Sequence, residues 1–238
     1  MRKPATLMAG KFGSRDFGTQ PYLGHALRLT GKSAPLVLYI GAASGDHRQF
    51  GAGVSGVLEA AGAHRVLWPK LTGRKKERAR AREAIEQVDL VFVGGGDVEA
   101  GVDALHDADL VAPLRAAVRR GVVLTGMSAG AIMLGERWIR WPSAGAGDDE
   151  AATYACLGLV PCSLDTHGED DDWREARSFA AVRARELRKK ADVLGIPSGG
   201  ALVIEKDGTM RARGASVPVF AAQPNRQATL ARTLEAVE

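Results

Sequence analysis

Apolar residues fall along the chain in short continuous runs separated by stretches of helical spacing. "APLVLYIGAAS" (34–44) is apolar throughout and ends in small residues, as a strand buried on both faces of a parallel sheet should. Val54, Val57, Leu58 and Ala61 then recur at helical spacing as far as Gly62, a residue suited to a helix C-cap. "HRVLWP" predicts a short strand. "RKKERARARE" (74–83) predicts a helix with Ala81, Ala84, Ile85 and Val88 inward and its basic residues on a solvated face. "VDLVFVGGGD" (88–97) is a second buried strand that breaks into three glycines. Leu114, Ala117 and Val118 mark a helix opened by Pro113 and closed by Gly121. "VVLTG" predicts a strand and "AGAIML" the start of the next helix, and this alternation implies βαβ units around a parallel sheet.

Beyond about residue 136 the pattern changes. "RWPSAGAGDDEAA" predicts a loop, "YACLGLVPCSLDTH" strand material with a turn, and residues 173–190 a helix. "ALVIEKDGTMRARG" predicts a β-hairpin turning at Asp207–Gly208, and "SVPVF" one further strand. The last dozen residues, rich in Ala and Arg, predict a peripheral helix or a frayed end. No repeat or linker divides the chain, so residues 1–238 are expected to form a single α/β domain.

Composition narrows the function classes. Hydrophobic residues at 45% and charged residues at 25% argue against global disorder. The net charge of +4 is too small to indicate a nucleic-acid partner, and no aromatic–basic interleaving supports one. No apolar stretch approaches the roughly 18 residues that span a membrane. The start, "MRKPATLMAGKFG", lacks the long apolar core of a signal peptide, so a cytoplasmic location is expected. Cys156 and Cys162 are too few for a zinc site or a disulfide framework and are expected as buried free thiols. "GAGVSG" (51–56) matches G-x-G-x-x-G, but it does not directly follow a strand, and Lys70 stands where the dinucleotide fingerprint needs an acid. Its glycines are read as small residues for close helix packing.

"GMSAG" (126–130) fits G-x-S-x-G between a strand and a helix. A sharp turn there forces unusual backbone angles that glycine neighbours tolerate. It also lifts Ser128 above the carboxyl ends of the strands, where open α/β sheets bind ligands. The helix N-terminus beneath favours developing negative charge. Spacing alone leaves a structural serine in a turn as the other reading. "GGGD" (94–97) follows the neighbouring strand, where a glycine N–H could approach a substrate oxyanion beside the N–H of Ala129; a plain βα turn is the alternative. Of five histidines, His25, His64 and His106 read as structural, and His47 in "SGDHRQF" is a minor candidate base. His167 ends the "LGLVPCSLDTH" segment and enters the polar loop "GEDDDW", where a histidine reaching over a sheet edge should sit.

"VFVGGGD", "GMSAGAIML", "LGLVPCSLDTH" and "LGIPSGGALVIEKDG", in this order, resemble the aspartyl dipeptidase (dipeptidase E) and cyanophycinase family of serine peptidases. The resemblance runs from about residue 35 to 220. It implies a three-layer, doubly wound, mostly parallel sheet of the flavodoxin-like, class I glutamine amidotransferase-like kind with a C-terminal β-hairpin. It implies Ser128 as nucleophile, His167 as general base and Gly96 and Ala129 as oxyanion-hole amides. Asp97 stands where the family often has Asn or Gln, at a substrate-binding position. Arg174, in "WREAR", matches an arginine that recognises an acidic substrate side chain, although a solvated Arg on an Arg-rich helix is the other reading. The resemblance further implies a homodimer that needs no metal or cofactor, and a peptide substrate with an acidic first residue.

The departure is in "GIPSGGAL": the family places an acid after the proline, and this chain has Ser198. Losing the acid of a triad can cost roughly 10⁴ in kcat. Another acid such as Asp165, Glu169 or one of Asp170–Asp172 could take over, Asp165 being the first to check. Ser198 could hold the imidazole through its hydroxyl. Or the chain could be a catalytically impaired homologue that acts as a ligand-binding or interaction protein. An amidotransferase-like glutaminase is a weaker rival, since that chemistry normally uses Cys at the elbow. The expectation is a serine peptidase-like hydrolase of small peptides.

Overall fold

The computed structural model of the chain describes residues 4–10, 20–73 and 75–237. Met1–Lys3, residues 11–13 of the opening stretch and Arg74 of the basic run therefore lie outside the described residues. The first half of the chain runs β1 (Ala5–Met8), α1 (Gln20–Leu29), β2 (Leu36–Ile40), α2 (Arg48–Ala60), β3 (Arg65–Leu67), α3 (Lys75–Gln87), β4 (Leu90–Val93), α4 (Val98–Asp107) and α5 (Val111–Arg120). There follow β5 (Val123–Met127), α6 (Ala129–Leu134), β6 (Arg137–Arg140), β7 (Ala152–Ala155), β8 (Leu164–Thr166), α7 (Arg174–Leu187) and β9 (Ala191–Ile196). The chain ends with β10 (Ala201–Ile204), β11 (Met210–Arg213), β12 (Val217–Ala222), β13 (Thr229–Leu234) and β14 (Ala236–Val237).

Strands β3, β2, β4, β5 and β1 lie side by side in that order and run parallel. The predicted hairpin, β10 with β11, extends this sheet antiparallel beyond β1. The apolar runs form these strands because both faces are covered. Val37, Tyr39, Leu90 and Phe92 pack with Leu23 and Leu27 of α1 and Val54 and Leu58 of α2. The alternate residues Leu38, Ile40, Val91 and Val93 face Ala84 and Ile85 of α3, Val102 and Leu105 of α4 and Leu114 of α5. Period-two alternation thus feeds two helical layers, which is the doubly wound, mostly parallel α/β architecture expected. Each fully buried Leu, Val, Ile or Phe contributes about 1.5–3 kcal/mol relative to exposure.

A smaller sheet of order β13-β12-β9-β8 carries α7 on one face. There Phe179 and Val182 of α7 meet Val193 and Phe220, while Leu164, Leu194 and Ile196 join the main core. Its β8–β9 pair is parallel, with Thr166 opposite Ile196. That register sets the residue after β8, His167, beside the loop that follows β9.

Several expectations need correction. The final residues form β13 and β14 and not a helix: β13 pairs antiparallel with β12, which would otherwise present an open edge. Most of β13 is solvent-exposed, so its composition carries no core signal. Residues 137–140, adjoining the predicted loop, form β6, which pairs with β7. The "GAGVSG" segment lies wholly inside α2, and only its first glycine is needed for packing, since a Cβ on Gly51 would sit 2.1 Å from the Trp68 ring. Cys156 and Cys162 are free and buried, and burial pushes both thiols up to about 12. No helix among the described residues is long and apolar enough to cross a membrane.

Candidate active site

From Val122 to Gly135 every residue is buried except Ser128, which is half-exposed. Strand β5 ends at Met127, and Ser128 turns sharply at φ 52°, ψ −126° before α6 begins at Ala129. A side chain other than glycine rarely tolerates these angles, and such strain clusters where a side chain must be presented. Close packing over-determines the turn. A Cβ on Gly130 would lie 2.1 Å from the Val93 carbonyl oxygen, so α6 rests directly on the end of β4. The Ser128 N–H donates to the Met8 carbonyl at 2.8 Å, which fixes the turn to the end of β1 as well.

The glycine turn after β4 lies against this serine, for a Cβ on Gly95 would come within 3.1 Å of Ser128 Cβ. Gly96 has φ +143° and passes so close to the Ala43 carbonyl that an added Cβ would sit 2.1 Å from its oxygen. Only glycine fits there, and it leaves the backbone of Gly96 exposed. Ala129, as the first residue of α6, has an N–H with no partner within its helix. Asp97 is the N-cap of α4: its Oδ1 accepts the Ala100 N–H at 2.8 Å. A cap of this kind explains the Asp without a substrate.

His167 follows β8 with φ 63°, and its N–H donates to the Ile196 carbonyl at 3.2 Å. Its Nδ1 lies 2.9 Å from Ser198 Oγ. Burial pushes the ring below its ordinary pKa, opposed by the Glu169 carboxylate and by a hydrogen bond with the backbone of Ala9. A neutral imidazole at pH 7 is the form a general base needs. Met8 and Ala9 are consecutive, so the end of β1 touches both Ser128 and His167.

The loop carrying Ser198 is held at several points. Tyr22 Oη donates to the Gly199 carbonyl at 2.6 Å, the Gly199 N–H donates to Gly10, and the Ser198 N–H donates to Glu169 Oε1 at 2.9 Å. Burial disfavours the Glu169 anion. Hydrogen bonds from the Ser198 hydroxyl, from its own N–H and from the Ser198 N–H, with the nearby His167, outweigh this and hold the carboxyl below its ordinary value.

Asp165 is bonded to other groups. The strand ends at Thr166, and the positive φ of His167 breaks the alternation that would place residues 165 and 167 on one face. Asp165 Oδ1 accepts the Thr166 N–H at 2.7 Å, and its carboxyl also bonds the Ala176 backbone at the start of α7. Burial, and then the neighbouring Glu175 carboxylate, push Asp165 up to about 7. Burial raises Glu175 too, although Trp138 Nε1 donates to it at 2.7 Å. The folded state therefore keeps a proton on Asp165 that the unfolded chain releases. This contribution to stability is complete below the ordinary carboxylate range and is lost as pH rises through about 7. Asp165→Asn is expected to flatten the fall in melting temperature between about pH 4 and 7 and to melt higher than the parent at pH 8, as measured by thermal unfolding.

Arg174 opens α7 and lines a surface depression with Arg177 and the carboxylates of Asp148, Asp171 and Asp172. His47 is the exposed N-cap residue of α2. The contributions of Met8, Ala9 and Tyr22 were not anticipated. The apolar "ATLMAG" run before Lys11 was the available signal for β1, but it is only four strand residues long.

A family model, that of Peptidase family S51, matches residues 10–211. The chain belongs to peptidase family S51. It is a peptidase of the serine type, as its resemblance to a family of serine peptidases implied. Peptidase E of Streptomyces coelicolor is 30% identical over 197 residues, covering 78% of this chain and 76% of that protein. Peptidase E of Actinobacillus pleuropneumoniae serotype 5b is 30% identical over 137 residues, covering 52% of this chain and 54% of its own. The crystal structure of a peptidase from an acI-B1 Actinobacterium superposes with a TM-score of 0.66 at 15% identity, over 99% of this chain and 97% of that one. This last likeness shows that the S51 chain shares that fold.

Proposed function

We propose that this S51 chain hydrolyses small peptides through Ser128 as nucleophile and His167 as general base. The observation that carries the reading is the backbone of Ser128: the one half-exposed residue of a buried run, held at φ 52°, ψ −126° by contacts on both sides. Ser128 Oγ attacks the scissile carbonyl carbon as His167 takes its proton. The tetrahedral oxyanion is received by the N–H groups of Gly96 and Ala129, and either donor is worth roughly 3 kcal/mol of barrier. Collapse breaks the C–N bond, and His167 returns the proton to the leaving amine. Water, activated by the same imidazole, then releases the acyl group from Ser128. The hydroxyl beside Nδ1 supports the catalytic reading over a non-catalytic binding role.

Arg174 does not by itself favour an acidic first residue. Its depression is lined by two arginines and three aspartates, with Arg177 paired to Asp172 at 3.3 Å, so the formal charge of the lining is not positive. Amine release from a panel of di- and tripeptides tests both points. Hydrolysis is expected for neutral as well as Asp-X substrates, and Arg174→Ala is expected to leave the ratio of their kcat/KM values unchanged. Folded protein that hydrolyses no member of the panel would overturn the reading.

A further inference from the structure

We infer that Glu169 replaces the missing triad acid at one remove, orienting His167 through the hydroxyl of Ser198. The inference rests on His167 being the base of the proposed reaction. Ser198 Oγ lies 2.9 Å from His167 Nδ1, and the Ser198 N–H donates to Glu169 Oε1 at 2.9 Å. The Ser198 hydroxyl has a single proton, and the Glu169 carboxylate is an acceptor with no proton to give. The relay assigns that proton to Glu169, whose carboxylate is held at the Ser198 N–H, and this leaves the oxygen able only to accept from Nδ1–H. That bond favours the tautomer with Nε2 unprotonated, which is the form a base needs, in a ring that also bonds the Ala9 backbone. The hydrogen bonds that hold Glu169 below the ordinary carboxylate value keep it an acceptor at neutral pH.

The arrangement comes from two local features of the chain. The β8–β9 register sets the residues after Thr166 and Ile196 side by side. The short turn Glu169–Asp171 then brings a carboxylate back over the β9 loop two residues beyond the histidine. Among the acids of "GEDDDW", Glu169 is the one bonded to Ser198. Glu169 does not touch the reacting atoms, so it is a positioning residue.

The test combines kinetics with the tautomer itself. Glu169→Gln and Ser198→Ala should each lower kcat by about 10- to 100-fold, less than the ~10⁴ lost with an acid in direct contact, with KM little changed. The double variant should be no slower than the slower single, since both cut one relay. Ser198→Thr, which keeps the hydroxyl, should restore most of the rate. The acid limb of kcat/KM should move to lower pH in Glu169→Gln, because the carboxylate raises the His167 pKa. Nitrogen-15 NMR of His167 should show the Nδ1–H tautomer in the parent at pH 8 and lose that preference in Ser198→Ala. Multiplying kinetic effects, an unchanged Glu169→Gln, or an Nε2–H tautomer in the parent would each overturn the relay. Loss of Ser128 reactivity in the parent would instead sink the hydrolase reading, and the tautomer still decides the relay in that case.

Discussion

Ser128→Ala is expected to lower kcat on any accepted peptide by on the order of 10⁶, about 8 kcal/mol of barrier, with the fold intact. His167→Ala should lose a comparable factor, and the double variant little more, because nucleophile and base act as one unit. Steady-state kinetics with the three variants measures this directly. Multiplicative losses would separate the two residues. The elbow adds a stability signature. Holding a serine at φ 52°, ψ −126° is strained, and strain of this kind costs about 1–3 kcal/mol. Ser128→Gly should therefore be inactive yet melt higher than the parent, by about 2–4 °C for each kcal/mol relieved. A glycine variant that melts lower would show that the serine side chain, and not the backbone angle, holds this turn together.

Gly130→Ala should give the largest loss of stability. The added methyl would lie 2.1 Å from the Val93 oxygen and 2.6 Å from the Gly94 oxygen, both backbone atoms at the end of β4. Neither can swing aside as a flexible side chain would, so α6 must move off the strand. Overpacking a tight site costs about 1–3 kcal/mol or more, which corresponds to a fall of roughly 3–10 °C in melting temperature. The same shift separates Ser128 from the Gly94–Gly96 turn, so kcat should fall together with stability. Thermal unfolding and kinetics on one preparation check both effects. A Gly130→Ala protein that melts and turns over like the parent would refute the close contact.

The parts of the fold that could be read from sequence are those where one signal dominates. β2, β4 and β5 are continuous apolar runs because helices cover both their faces. The helix over 173–190 follows from Ala176, Phe179, Ala180 and Ala184 at helical spacing on its buried side. β1 sits between β5 and β10, yet it offers only four residues of pattern. β13 is made by backbone pairing to β12, and its exposed side chains are free to look like those of a surface helix. At the site, Ser128 was marked by the glycines its turn requires. His167 was marked by its place at the end of a strand segment and by the family resemblance. Asp165 stands two residues before the histidine, and the positive φ at His167 breaks the strand alternation between them. Glu169 could not be singled out from its acidic neighbours, because its partner Ser198 is 29 positions away and is brought to it by the β8–β9 register.

The central claim is that Ser128 is an activated nucleophile served by His167. Incubation of the folded protein with a fluorophosphonate, followed by peptide mass mapping, tests it most directly. The account predicts a single adduct on Ser128, formed within minutes at pH 8, slowed as pH falls through the His167 titration and absent in His167→Ala over the same time. No adduct after hours, or an adduct on Ser128 that forms equally fast without His167, would contradict it.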